Sequence, residues 1–280
     1  MSLLNQTLPK NDYEIIIVDN ASTDGTSDYV NLEFLPATNF KLILEPVPGI
    51  SRARNRGLAE SQGRFVAFTD DDAVVGPNWL KNILNAFEHD SCPACVGGKV
   101  EAVLEGGRPS WLTADMMDFL AVLDLPMGKT ILSEAQYVVG VNMAFDKEKI
   151  EDPNFFNESF KKYNDEIFVM NKIRESDGKI LYDPEILVKH RIPRERLSWK
   201  WFMKRWFWQG ASNAYLDIYE KKHLRSKRFF LSYEKIPKIA KEWFSCLTSF
   251  LNGRKEEAFL KSKMAFAETG YFAVMMGILK

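Results

Sequence analysis

Cysteine is scarce. Of 280 residues only Cys92, Cys95 and Cys246 are cysteines, too few for a disulfide framework. Cys92-Pro93-Ala94-Cys95 has the spacing of a redox or zinc-binding pair, but no second Cys pair completes it. Reduced cytosolic thiols are the plain expectation. Long apolar runs are missing too: no stretch reaches the ~18 consecutive apolar residues of a membrane-spanning helix, and no secretory leader is visible. No glycine-rich phosphate loop opens the chain. Its first residues, Met1-Ser2-Leu3, read as an appended start on a chain already under way.

Net charge is almost absent, at −1 for 37 Lys/Arg against 38 Asp/Glu, yet the balance conceals a split. Residues 189–241 hold 15 basic and 4 acidic side chains, whereas residues 1–188 hold 17 and 30. An acidic half suits cations; a basic half suits phosphates, an anionic membrane surface or nucleic acid. No nucleic-acid recognition motif accompanies the charge, so nucleic acid is not expected as a partner. With 46% apolar and 27% charged residues the composition is that of an ordinary globular protein. The length allows one large or two small domains.

What is present is chemistry at strand ends. Residues 64–68 are dominated by Phe and Val and read as a buried strand, and Asp70-Asp71-Asp72 follows where the apolar run stops. Open α/β sheets bind ligands at that carboxyl edge. Three adjacent carboxylates repel one another unless a cation neutralises them, and hard oxygen ligands suit Mg²⁺ or Mn²⁺. An acidic turn capping the next helix, at residues 79–87, is the bland alternative. Residues 13–18 form a second such strand, ending in Asp19; a turn-rich segment then leads to a helix beginning near Thr26. A third strand spans 41–45, and a helix with Arg52, Arg54 and Arg56 at its start spans 50–61. Strand–helix–strand–helix–strand predicts a mostly parallel sheet flanked by helices, an α/β fold.

Further along, residues 97–103 and 137–145 read as strands, the latter interrupted by Gly140. Residues 167–176 read as a helix, 178–184 as a strand running into a turn, and 188–191 follow it with His190 and Arg191. Residues 199–219 interleave Trp199, Trp201, Phe202, Trp206, Phe207 and Trp208 with Lys200, Lys204 and Arg205. That pattern fits a membrane-surface platform, an acceptor groove, or simple packing of a helix back onto the α/β core. Segments 236–251 and 257–276 read as further helices. The expected division is a nucleotide-sugar domain over 1–195 and a basic, aromatic helical region over 196–280.

Val18-Asp19-Asn20-Ala21-Ser22-Thr23-Asp24-Gly25-Thr26, then Gly49-Ile50-Ser51-Arg52-Ala53-Arg54-Asn55-Arg56-Gly57, then Phe68-Thr69-Asp70-Asp71-Asp72 resemble a family 2 glycosyltransferase of GT-A fold. The resemblance covers about residues 5–215 and lacks the family's opening strand, which implies a less stable or less active chain than one extended upstream. It implies Asp19 and Asn20 at the nucleobase, Asp70 and Asp71 near the ribose, and a divalent metal, Mn²⁺ or Mg²⁺, on Asp72 with Asp70 and His190. Arg54 and Arg191 are expected at the diphosphate, and Gly140 and Asn142 beside the donor sugar. Asn164-Asp165-Glu166 matches the segment that heads a helix with the catalytic base. The acidic pair is reversed relative to the family; by register Glu166 takes the base position, with Asp165 the alternative base, and stabilisation of the helix N-terminus by both is the bland reading. The implied activity is metal-dependent, inverting transfer from a UDP- or GDP-linked sugar to a glycan or lipid-linked acceptor. The implied location is cytoplasmic, with peripheral contact to the inner face of a membrane. A metal-dependent nucleotidyltransferase and a degenerate glycan- or membrane-binding module remain open at this point. The first lacks its glycine-rich loop, and the intact acids argue against the second.

Overall fold

The first strand, β1 (Ile15–Asp19), pairs in parallel with β2 (Phe40–Leu44), and helix α1 (Thr26–Phe34) connects them. These belong to a computed structural model that describes residues 2–34, 37–150, 152, 154–160, 163–220 and 225–279, without the side chains of 34, 220 and 225–234. Helix α2 (Ile50–Glu60) follows, then β3 (Phe65–Phe68), β4 (Ala73–Val75) and α3 (Trp79–Phe87). After β5 (Cys95–Leu104) come the short β6 (Thr130–Ile131), β7 (Met143–Asp146), α4 (Asp165–Glu175) and the long β8 (Ile180–Ile192). Three helices complete the described chain: α5 (Trp199–Glu220), α6 (Arg225–Leu251) and α7 (Lys255–Met275).

The chain divides into two compact units. Residues 1–105, 114–158 and 165–192 form the first; residues 106–113, 159–164 and 193–280 form the second. The first is the expected α/β sheet with helices against it, but its pairing is mixed. A six-stranded sheet runs β3-β7-β5-β8-β4, with β6 on β8, and β1 and β2 form a separate two-stranded sheet. Only β1/β2 and β5/β8 pair in parallel; β3/β7, β5/β7, β4/β8 and β6/β8 are antiparallel. Helix α3 lays Trp79, Ile83, Ala86 and Phe87 against Val96 and Val100 of β5 and Leu181, Ile186 and Val188 of β8. Those four positions recur at helical spacing, so one face of α3 becomes core.

Two expected elements take other forms. Residues 137–145 are not one strand: Gly140–Asn142 is a 3₁₀ turn, and only Met143–Asp146 pairs. The expected strand at 178–184 does not stop at its proline, because β8 continues through Pro184. Its register against β5 jumps from Gly98↔Asp183 to Val100↔Val188, so residues 184–187 loop out of the ladder. A proline without an N–H is tolerated at such a bulge.

In the second unit α5 and α7 meet through glycines. A Cβ on Gly210 would lie 1.8 Å from the Ala267 carbonyl oxygen, and one on Gly270 would lie 1.9 Å from that of Phe207. Nothing larger than hydrogen fits either position. The aromatic run on α5 is the core of this unit: Phe202 and Trp206 are fully buried. Trp199 stacks on Phe259 of α7, and Trp111 meets Trp199, Phe202 and Phe259 edge-on. The aromatics therefore pack against their own unit's helices and the 106–113 loop.

Candidate active site

Antiparallel pairing of β4 with β8 sets Ala73 opposite His190, which brings Asp72 to a residue 118 positions away. His190 Nε2 lies 3.1 Å from Asp72 Oδ1, and Nδ1 lies 3.0 Å from the Leu120 carbonyl. A carbonyl only accepts, so Nδ1 carries the hydrogen and a neutral ring turns its Nε2 lone pair toward Asp72. A lone pair and a carboxylate oxygen face each other stably only with a proton or a cation between them. The imidazole is buried, and the Leu120 carbonyl orients it in the way outer partners orient metal-binding histidines.

A second centre is built on α2. Ser51, Arg54, Asn55 and Leu58 form its buried face, a helical stripe with polar members. The Arg54 guanidinium donates to Asp165 Oδ2 at 2.6 Å, stands 3.9 Å from Asp70 Oδ1 and covers the Phe156 ring. Burial opposes its charge, but Asp165, then Glu166 and Asp70, outweigh that and hold the guanidinium more firmly protonated than usual. Asp165 is only 2% exposed. Glu166, its neighbour at the start of α4, keeps part of its surface open. Burial first, then the Asp165 carboxylate and a hydrogen bond with it, push the Glu166 carboxyl up to about 8, against the opposing pull of Arg54. Asp70 is raised as well, chiefly by burial, with Arg54 opposing.

Other residues predicted for the site have their polar atoms committed elsewhere. Hydrogen bonds from the Ser22 side chain, the Ser27 hydroxyl and the Ser22 N–H (2.9 Å) hold the Asp19 carboxylate below the usual carboxylate range. The Asn20 amide donates to the Glu45 and Val47 carbonyls and accepts the Gly49 N–H at 2.6 Å, tying the loop after β1 to the loop before α2. Asn142 is corrected from donor contact to scaffold. It is fully buried, accepts from the Trp79 indole and donates to the Lys99 and Ile186 carbonyls. Gly140 serves Arg54, since a Cβ there would lie 2.3 Å from Nη2. Arg191 donates its backbone N–H to the Asp72 carbonyl, but its guanidinium turns outward to Glu105 at 2.8 Å. Arg52 pairs with Glu158 and Arg56 with Glu60. Asp71 is exposed. Among the described residues no three His, Cys, Asp or Glu side chains converge as a metal cluster, so Asp70 does not join Asp72 and His190 at one point.

Sequence reasoning passed over Asn55, whose amide exchanges two hydrogen bonds with the Phe156 backbone, and the Leu120 carbonyl that orients His190. The spacing 51, 54, 55, 58 was the available signal for Asn55; nothing local could mark Leu120. In the second unit, Tyr163, Trp201, Lys204, Arg205 and Trp208 line a cavity of about 200 Å³. Arg205 lies 3.5 Å from the Tyr163 ring centroid and donates to Gln209 at 2.6 Å. Among the described residues no carboxylate pairs with Lys204.

An α/β sheet flanked by helices, with acids after its strands and a helical C-terminal region, defines a protein of the GT-A type. The chain belongs to glycosyl transferase family 2, whose model matches residues 1–152. It is 26% identical over 282 residues to a poly(ribitol-phosphate) beta-glucosyltransferase of Bacillus spizizenii, covering 92% of this chain and 43% of that protein. It is 25% identical over 283 residues to the poly(ribitol-phosphate) beta-N-acetylglucosaminyltransferase TarP of Staphylococcus aureus, covering 95% and 78%. Among solved structures, the mannosyltransferase PcManGT of Pyrobaculum calidifontis, in complex with GDP-Man and Mn²⁺, superposes with a TM-score of 0.56 at 19% identity, covering 99% and 80%. That likeness is one of fold. The chain spans about half the length of several relatives it matches, 56%, 43% and 48% of three of them.

Proposed function

We propose that this protein transfers a sugar from a nucleoside-diphosphate donor to a hydroxyl of a glycan or lipid-linked acceptor, with inversion at the anomeric carbon and with Mn²⁺ or Mg²⁺. The observation that carries the reading is the pair of centres in the first unit, Asp72 with His190 and Arg54 with Asp165 and Glu166. Their chemistry is complementary. Asp72 and His190 offer one oxygen and one nitrogen, a donor set that suits Mn²⁺ better than the oxygen-seeking Mg²⁺, and a cation, like a proton, would satisfy the opposed lone pair and carboxylate. When bound, such an ion neutralises the departing diphosphate.

Asp165 is held by Arg54, and its buried charge is thereby answered. Glu166 is the carboxylate left to take a proton, and its raised affinity for one suits a general base working near neutral to mildly alkaline pH. Glu166 removes the acceptor hydroxyl's proton as that oxygen bonds to the anomeric carbon. The bond to the diphosphate oxygen breaks on the opposite side, and the nucleoside diphosphate leaves with the electron pair. Arg54 fixes the acidic pair and lowers the cost of three neighbouring carboxyl groups. Relatives that act on poly(ribitol-phosphate) favour a phosphate-bearing acceptor, and the aromatic, basic cavity around Trp201, Lys204 and Trp208 has suitable chemistry for one.

Calorimetric titration with UDP and with GDP, in Mn²⁺ and then in EDTA, tests the donor side. Binding of one nucleotide in Mn²⁺ only, lost in Asp72→Asn, is the expected result. Binding that ignores both EDTA and the substitution would sink the metal assignment, and no binding of either nucleotide would favour a module without turnover.

A further inference from the structure

Helix α6 is amphipathic in the wrong sense for a helix in a globular unit. Toward α7 it turns Lys235 and Lys238, which both donate to Glu268 at 2.8 and 2.6 Å, Ser249, which accepts from Lys261 at 3.0 Å, and Trp243, whose indole donates to Thr269 at 3.1 Å and meets the Phe266 ring edge-on. Its apolar side faces solvent. Ile236, Phe244, Leu247, Phe250 and Leu251 fall on one helical face, Phe244, Leu247 and Leu251 at intervals of three, four and seven, with the less exposed Trp243 at its edge toward α7. Phe244 is 67% exposed, Leu247 52%, Phe250 56% and Leu251 73%. Scattered exposed leucines are ordinary, but a continuous stripe of this kind marks a contact surface.

We propose that this face of α6 docks the protein flat on an anionic lipid surface. Three features select lipid over a second copy of the chain. The stripe carries Phe244 and Phe250, with Trp243 at its edge, aromatic side chains of the kind that settle at a membrane interface, and it carries no charge along its length. The helix bearing it holds six Lys/Arg against two Glu; Lys235 and Lys238 are committed to Glu268, and Lys241 stands exposed beside the stripe. Residues 189–241, which lead into the stripe, are basic by 15 to 4. Apolar face, cationic flanks and a long helix are together the signature of a helix lying in a membrane interface. Among the described residues no helix is long and apolar enough to cross a membrane, so α6 lies on the bilayer without spanning it. This surface is independent of the donor chemistry proposed above, and each can fail alone.

Co-sedimentation of the full chain with phosphatidylcholine vesicles, with and without phosphatidylglycerol, is the test. Binding to the phosphatidylglycerol vesicles that weakens with added salt is expected. Phe244→Glu combined with Leu247→Glu should weaken it roughly tenfold or more, since each change withdraws a large apolar side chain from the interface. The same variant should bind nucleotide and melt as the parent does, which separates lost docking from lost folding. Vesicles should also blue-shift tryptophan emission less in Trp243→Phe than in the parent, a readout that does not depend on the glutamate variant. No binding to anionic vesicles, or binding indifferent to both sets of changes, overturns the proposal. A dimer seen by sedimentation velocity and dissolved by the glutamates would assign the face to a second copy and overturn it as well.

Discussion

The two units depart from the ordinary burial pattern in opposite directions. The first takes charge inside, with Arg54, Asp165 and His190 all buried. The second leaves apolar surface outside, along α6. Buried ions and contiguous exposed apolar faces are the informative exceptions to burial by polarity. A buried ion pair is weak evidence for stability, since desolvation cancels much of its attraction. An exposed aromatic stripe contributes nothing to the folded monomer. Each exception therefore costs stability, or adds none, where function is the better explanation.

The largest effect should come from breaking the buried pair. Arg54→Met leaves Asp165 as an uncompensated buried carboxylate, so denaturant unfolding should show a loss of about 3–5 kcal/mol. Arg54→Met with Asp165→Leu should recover most of that stability yet remain inactive. Recovery of turnover as well would end the argument that the pair serves function. Trp206→Ala, in the second unit's aromatic core, should cost about 3–5 kcal/mol, whereas the exposed Phe244→Glu should stay within about 0.5 kcal/mol. Equal losses at both positions would erase the contrast between α5 and α6.

Glu166→Gln should reduce kcat by about 10²–10⁴-fold while leaving the melting temperature equal or higher. Its folded carboxyl is raised from 4.5 to about 8, so the folded state holds a proton that the unfolded chain releases across that window. Stability contributed by this group therefore falls as pH rises from about 4.5 to about 8, and the Gln variant should lack that slope. Activity runs the other way: the base form accumulates as pH rises through about 8, so kcat/KM should climb across neutrality. A profile flat from pH 6 to pH 9, to within about twofold, would remove Glu166 from the base role.

Much of the frame was legible locally. Residues 79–87 repeat apolar side chains at helical spacing, and helix α3 spans those residues. The strands ending at Asp19 and before Asp70 were marked by Ile, Val and Phe runs closed by acids, because a buried strand must be apolar and its end must not be. Pro184 misled because a proline ordinarily ends a ladder, and only the bulge against β5 reveals that β8 passes through it. Asn142 misled for a related reason. An Asn beside a glycine looks available in sequence, and only packing shows that Trp79, Lys99 and Ile186 consume it.

By itself the sequence determined the class of fold, the family and the set of acids at strand ends, since these depend on periodicity and motif within short windows. Tertiary structure decided which acid meets which partner. Asp72 reaches His190 through the antiparallel pairing of β4 with β8, and Arg54 reaches Asp165 across 111 positions. It also decided which aromatic helix is core and which is surface. Helices α5 and α6 are both aromatic and basic, but α7 presents glycine and Phe259 to the first, and to the second Glu268 for its lysines with Phe266 and Thr269 for Trp243 alone. A helix buries whichever face its neighbour can satisfy, and that neighbour is chosen in three dimensions.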